Sequence, residues 1–378
     1  MKVLITGGAG FIGSNLALHL VSLGHEVTVL DNLSKQIHGA NAKSTSELYL
    51  SIAGHVQFVE GTVTDRECWR SALQGQDAVV HLAAETGTGQ SMYEIKKYVD
   101  VNVGGTAILL DLLANEGHSV QRVVVASSRS IYGEGKYKNQ NGQYVYPGAR
   151  TEANLAAGKF EHDDPESGEP LILTATDEES KLHPSSVYGI TKLNQEQMVL
   201  TVCGSLGIAA TALRYQNVYG PGQSLSNPYT GILSIFSTRI KNGNPISIFE
   251  DGLESRDFVY ISDVVQATTL ALLRDGKDSK VFGIGSGVAT TVKEVAERLI
   301  EAYHASVPVT TTGAYRLGDI RHNFADLTKA RKELGFEPKV SFTEGIKHFT
   351  AWVNSQAVQV DKYEASIAEM KAKGLYRG

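Results

Sequence analysis

The chain has 378 residues, more than one ordinary compact domain uses and enough for about two at roughly 150 residues each. Its 35 Lys and Arg against 41 Asp and Glu give a formal charge of −6 without a basic block, so it is not built to track a phosphate polymer and no nucleic-acid partner is expected. Apolar residues make up 42% of the chain with no uncharged run long enough to cross a bilayer, and the opening MKVLITGG starts a strand pattern instead of a signal-peptide core, so neither membrane insertion nor secretion is expected.

In chain order, short β-branched runs at 2–6, 26–31, 56–60, 78–82 and 120–127 alternate with helical patterns, as in a doubly wound parallel sheet. Between the first two runs, Leu16, Ala17, Leu20 and Leu23 recur at helical spacing over 14–23, and Gly24 closes the helix. Periodicity is lost from 135 to 184, so a long irregular insertion is expected there. A helix is predicted at 185–203 and a strand at 209–215, after which NVYGPGQSLSNPYTG breaks the pattern and marks an exit to a second domain. Strands at 246–249 and 281–284, helices at 292–303, 327–334 and 342–352, and a charged terminal helix at 361–373 complete the chain. The predicted organisation is a first domain over 1–217 carrying the 135–184 insertion, a smaller α/β lobe over 218–355 from which 255–275 returns to the first domain, and a terminal segment over 356–378.

In TGGAGFIG, Gly7, Gly10 and Gly13 fall between a predicted strand and a predicted helix, the setting in which glycine spacing carries meaning. Gly7 and Gly10 allow backbone to approach a pyrophosphate, Gly13 allows the helix to pack on the strand, and the helix start offers N–H groups to an anion. Asp31 ends the second strand, where a carboxylate accepts from an adenosine ribose and repels a 2′-phosphate. NAD is therefore expected over NADP, with Asn32 beside it and Lys35 near enough to offset part of the repulsion.

Tyr188 and Lys192 in SSVYGITK stand at i and i+4, on one face of the predicted helix. A Lys ammonium near a phenol, together with a cationic nicotinamide, is expected to bring the tyrosine from about 10 towards neutrality, where it accepts a proton from a sugar hydroxyl. Ser127 and Ser128 end a predicted strand in VVVASSRSIYG and are candidates to meet it.

These motifs, with HLAA, RYQNVYGPG, SRDFVYISDV and GDIRHNFAD in order, resemble the extended short-chain dehydrogenases/reductases, and among them the NAD-dependent nucleotide-sugar 4-epimerases. The resemblance runs from Lys2 to about Trp352. Within it, GQSMYEI and SNPYTGILSIF are similar to the branch of dTDP-L-rhamnose, UDP-glucose and UDP-glucuronate epimerases. It implies a Rossmann-type α/β fold with a smaller α/β substrate lobe, with Ser128, Tyr188 and Lys192 as the catalytic set.

By the same resemblance the cofactor lies against Phe11, Ile12, Val63 and Asp65, then Leu82, Ala83 and Ala84, then Asn102, Ser127 and Tyr215. Asp65 enters because Thr62 stands where relatives often offer an Asp to the adenine. Thr86, Thr88, Gln90 and Ser91 face the sugar, Asn217 meets the substrate diphosphate, and Arg256 and Arg321 clamp it. The implied reaction is transient oxidation at C4, turning of the 4-ketosugar, and return of the hydride to the other face, which demands tightly held NAD. The alternatives are a net nucleotide-sugar oxidoreductase or 4-ketoreductase consuming NAD(P)H, and a non-catalytic nucleotide-responsive binding protein. A homodimer formed through the helix of Tyr188 and one over 101–114 is implied as well.

Several residues depart from relatives. The dehydratases place Asp and Glu after their catalytic Thr, whereas Arg129 and Ser130 follow Ser128 here, so dehydration is disfavoured. Arg129 either approaches the sugar, where it would favour a carboxylate, or faces solvent or the cofactor phosphates. The insertion resembles one that carries a zinc knuckle in some relatives, but DPESGEPL lacks the cysteines, and Asp163, Asp164 and Glu166 read as a solvated acidic loop. Cys68 and Cys203 form no CxxC, so no disulfide framework or metal site is expected and a reducing cytoplasm is the expected compartment.

Overall fold

A seven-stranded sheet organises the computed structural model, which describes residues 1–227, 229 and 231–378. Pro228 and Thr230 of SNPYTGILSIF lie outside the described residues. The strands run Lys280–Ile284, Ala209–Tyr215, Arg122–Ser128, Ala78–His81, Lys2–Thr6, Glu26–Asp31 and Gln57–Glu60 across the sheet, each parallel to its neighbours. The chain builds outwards in both directions from Lys2–Thr6, so the switch point lies between that strand and Ala78–His81, where open α/β sheets bind ligands.

Alternate strand residues feed two cores because successive side chains point to opposite faces. Val3 and Ile5 pack with Leu16 and Leu20 of helix Phe11–Ser22 and with Val264 of helix Ile261–Leu273. Leu4 packs on the other face with Trp69, Leu109 and Val199, from helices Arg66–Leu73, Gly105–Asn115 and Val187–Ser205. Helix Phe11–Ser22 starts ahead of the predicted residue 14, because the glycine turn already supplies its first turn while apolar periodicity registers only the buried face. The predicted 101–114 helix opens with a π-helical turn over Val99–Gly104 before becoming α-helical at Gly105. The smaller lobe has its own core, centred on Phe236, Ile248, Leu299 and Phe349.

Two expectations are corrected. Strand Lys280–Ile284, assigned to the smaller lobe, is the edge of the main sheet and pairs with Ala209–Tyr215, while Leu327 and Phe336 join the first core. The chain thus crosses between lobes beyond the single return over 255–275, since a short apolar strand carries no local mark of its sheet. The 135–184 insertion is not an irregular loop. It forms a three-stranded antiparallel sheet from Lys136–Lys138, Tyr144–Val145 and Ile172–Thr174, with a helix over Glu152–Ala156.

The glycine turn is closely packed against its own backbone. A Cβ on Gly13 would sit 2.2 Å from the Gly7 carbonyl oxygen and 2.6 Å from the Gly8 Cα, both backbone atoms that cannot swing aside. Gly13→Ala is expected to destabilise the protein by roughly 1–3 kcal/mol, read as a fall in Tm. Gly117→Ala, where a Cβ meets nothing within 4 Å, is expected to leave Tm nearly unchanged.

Candidate functional site

Two cavities meet at Tyr188. The larger, about 710 Å³, lies over the carboxyl ends of the central strands, and its walls include Gly10, Phe11, Ile12 and Gly13 at the start of helix Phe11–Ser22. That helix has no side-chain cap and no acidic residue in its first turn, so its N–H groups and partial positive charge are available to an anion. Asp31 borders the same cavity with Asn32. Its carboxylate accepts from Ala9 N at 3.0 Å and Leu33 N at 2.8 Å. Burial pushes its pKa up, opposed by the Leu33 N–H and by His38 at 4.0 Å. An uncapped helix end and a strand-end carboxylate on one cavity fit the diphosphate and ribose of a dinucleotide.

Gly7, Val63, Leu82, Ala83 and Ala84 also form the walls of this cavity, as do Ser127, Tyr215 and Thr86. Two residues expected there do not. Asp65 caps helix Arg66–Leu73, accepting from Glu67 N at 2.8 Å and Cys68 N at 3.3 Å, because a carboxylate at an N-cap is claimed by the helix it starts. Asn102 is fully buried behind the wall, accepting from Glu85 N at 2.7 Å and donating to Thr191 Oγ1 at 3.0 Å. Its amide fixes the loop and the helix that flank the cavity without facing into it.

Ser186 caps helix Val187–Ser205, which places Tyr188 in its first turn and Lys192 one turn later. Ser91 Oγ accepts from Tyr188 N at 3.0 Å. The Ser128 hydroxyl, at the end of strand Arg122–Ser128, accepts from Ser130 N at 3.2 Å and Ser130 Oγ at 3.0 Å. Burial raises the Tyr188 pKa, while the Ser128 hydroxyl and the Arg129 cation pull it down. Burial also lowers Lys192 to about 7, with Glu196 opposing, and its Nζ donates to Gln195 Oε1 at 2.7 Å. In the protein alone burial thus outweighs the groups that favour the phenolate, and the cation among them is Arg129.

A buried polar layer supports these groups and was not anticipated from the sequence. Glu196 accepts from Ser127 Oγ at 2.6 Å and from Arg214 Nη2 at 2.6 Å, and Arg214 also donates to Tyr132 Oη at 2.7 Å. Gln195 donates to Thr106 Oγ1 at 2.8 Å beside His81, whose pKa burial depresses to about 3. The available signal was the polar QEQ run one turn after Lys192, on a helix that must lie against the sheet.

The second cavity, about 330 Å³, is bordered by Thr88, Arg129, Tyr188, Asn217, Arg256 and Arg316. Arg129 Nε donates to Asn217 Oδ1 at 2.7 Å, and burial together with the Arg256 charge lowers its pKa to about 9. Arg256 and Arg316 share Asp319, at 3.1 and 2.6 Å. Burial opposes ionisation of Asp319, but the two guanidiniums hold it well below the usual carboxylate range.

The remaining sequence candidates stand outside both cavities. Gln90 accepts from Gln36 Nε2 at 3.1 Å and Ser91 holds the Tyr188 backbone, so both position rather than line. Arg321, expected as a substrate clamp, is fully buried and ion-paired to Glu161 at 2.5 Å, Glu250 at 2.9 Å and Asp251 at 2.8 Å. Its donors are saturated by carboxylates of the insertion and of the smaller lobe. Arg316, five residues earlier and just ahead of the GDIRHNFAD motif, is the cation that reaches the cavity.

A parallel sheet with a glycine turn at its switch point, a cavity fitted to a dinucleotide and a Ser–Tyr–Lys set beside an arginine-rich cavity are the features of a dinucleotide-dependent α/β enzyme. The chain belongs to the NAD dependent epimerase/dehydratase family, matching it over residues 3–285. It is 39% identical over 354 residues to a dTDP-L-rhamnose 4-epimerase of Burkholderia thailandensis, covering 93% of this chain and 94% of that one. It superposes on the UDP-glucose 4-epimerase of Thermotoga maritima, solved with UDP-glucose, with a TM-score of 0.72 and 31% identity over 94% of this chain and 99% of that one. MoeE5, solved with UDP-glucuronic acid and NAD, matches with a TM-score of 0.71 and 29% identity over 94% and 99%.

The buried Lys192 ties stability to pH. Its folded pKa near 7 lies below its ordinary value of 10.5, so between these values the unfolded chain carries a proton that the folded chain lacks. The cost of burying the ammonium is full below the window and disappears as pH rises through it. Urea unfolding is expected to show stability rising from about pH 7 to pH 10, and Lys192→Met is expected to flatten that rise.

Proposed function

We infer that the protein is an NAD-dependent nucleotide-sugar 4-epimerase, and that Tyr188 exchanges the proton of the sugar 4-hydroxyl. The observation that carries this is the placement of Tyr188 on both cavities, between the dinucleotide cleft and a cavity bearing Arg129, Arg256 and Arg316. When bound, NAD supplies a hydride acceptor that returns the hydride within the same turnover. Ser128 shares the hydroxyl proton with the Tyr188 phenol, and Lys192, held by Gln195, faces the ribose side. Arg316, whose Nε is buried without a partner, anchors the diphosphate, while Arg256, its terminal nitrogens held by Asp319 and backbone carbonyls, adds positive charge, so the sugar can turn about a fixed handle and present its other face.

Dehydration is disfavoured because Arg129 and Ser130 follow Ser128, leaving no carboxylic acid and base beside it. Among the described residues no helix is long and apolar enough to cross a membrane, and we place the enzyme in the cytoplasm. Its partner is a second copy. Helices Gly105–Asn115 and Val187–Ser205 pack together, and Ile190 on the latter is exposed, so light scattering is expected to give a dimer mass.

The test is NMR of UDP-, dTDP-, GDP- and CDP-sugars incubated with purified protein and no added cofactor. One sugar is expected to equilibrate with its 4-epimer, whereas stoichiometric consumption of NAD(P)H would establish a net oxidoreductase instead. Tyr188→Phe is expected to lower kcat by about 100-fold or more with bound NAD retained. Arg316→Met is expected to raise KM about tenfold or more, by loss of a charge-assisted contact.

A further inference from the structure

The C-terminal helix Tyr363–Ala372 has one inward face. Tyr363, Ser366, Ile367 and Met370, at i, i+3, i+4 and i+7, border the substrate cavity, while Glu364, Ala365, Ala368 and Lys371 are exposed. Ile367 and Met370 are only 8% and 6% exposed, yet neither belongs to a hydrophobic core of either lobe. Their apolar surface is committed to the cavity that holds Tyr188 and Thr88.

The helix is fastened at both ends. At its start Asp361 pairs with Arg239 at 3.4 Å, and the Arg239 guanidinium lies 4.2 Å from the Tyr363 ring centroid. At its end Glu369 accepts from the Tyr229 hydroxyl, and Lys373 stands 5.6 Å over the Tyr93 ring in the GQSMYEI loop. Strand Tyr376–Arg377 then pairs antiparallel with Tyr315–Arg316, and Leu317 N donates to Leu375 O at 3.0 Å, so the backbone flanking the diphosphate-clamping Arg316 is held by the C-terminal segment.

The cavity has a polar end and an apolar end. Arg129 hydrogen-bonds Asn217 and feels the charge of Arg256, which assigns it to the diphosphate end. The Met370 sulfur lies 3.8 Å from where a Cβ on Gly89 would sit, beside Thr88 and Met92. A carboxylate brought against that thioether wall would lose most of its hydration with no cation to pair it and only the Thr88 hydroxyl beside it, whereas a methyl group would gain contact.

We propose that the C-terminal segment 361–378 forms a wall of the nucleotide-sugar site and that Ile367 and Met370 are specificity-determining residues, favouring a 6-deoxyhexose over a hexuronate. The proposal rests on the nucleotide-sugar reading above. The test is calorimetric binding of UDP, dTDP and the UDP and dTDP esters of glucose, 6-deoxyglucose and glucuronate to the full chain, to Met370→Lys, to Ile367→Ala and to a chain ending at Val360.

The full chain is expected to bind the 6-deoxyhexose esters more tightly than the glucuronates. Met370→Lys is expected to narrow that ratio at least tenfold while UDP and dTDP bind within twofold of the full chain. Ile367→Ala is expected to weaken the 6-deoxyhexose esters selectively, and the shortened chain to weaken all the sugar esters with bound NAD retained. An unchanged ratio in both point variants, with Tm preserved, overturns the wall but leaves the nucleotide-sugar reading standing. Failure of the full chain to bind any of the probes overturns both.

Discussion

The catalytic geometry depends on one buried ion pair. Arg214, on strand Ala209–Tyr215, and Glu196, on helix Val187–Ser205, are 4% and 2% exposed and meet at 2.6 Å. Ser127 occupies the second Glu196 oxygen, while the Tyr132 hydroxyl and the Glu178 carbonyl take further Arg214 donors. Such a pair gains little net stability, because dehydrating both charges offsets their attraction. What it provides is register: sliding the helix by a residue would strand a charge at a cost of about 3–5 kcal/mol. The helix therefore sits at one height on the sheet, with Tyr188 opposite Ser128.

Above that pair the site is electrostatically unsatisfied. Burial favours the neutral form of Tyr188 and of Lys192, and Arg129 is weakened further by the neighbouring Arg256. Asp319 is the shared counter-charge for Arg256 and Arg316. With a pKa near 9, Arg129 still carries its charge around neutral pH, and this cation pulls the Tyr188 phenol down against burial, a contribution that the Tyr-xxx-Lys spacing does not reveal.

The parts legible in the sequence are those set by local rules. The glycine turn, the strand-end Asp31 and the i, i+4 pair of Tyr188 and Lys192 each carry their geometry within a few residues. Arg316 lies just ahead of GDIRHNFAD and carries no mark in the sequence, and Arg321 is kept from the cavity by Glu161 and Asp251, 160 and 70 residues away from it. Asp65 was misread for the opposite reason, a local use as a helix cap outweighing a long-range one. The insertion's strands are two or three residues long, too short for any periodicity to show. Strand Lys280–Ile284 was visible as a strand, but its partner in the sheet was not.

The insertion and the smaller lobe hold each other by exchange. Arg150 of the insertion reaches Glu250 of the lobe at 2.7 Å, and Arg321 of the lobe reaches Glu161 of the insertion at 2.5 Å, with Arg150, Glu250 and Arg321 almost wholly buried. Removing the insertion would take Glu161 from Arg321 and Arg150 from Glu250 together, so both pairs are lost at once while Arg321 keeps Glu250 and Asp251. Gain or loss of the insertion has to be concerted with positions 250, 251 and 321. A chimaera that transplants it into another scaffold must carry both halves of this lock.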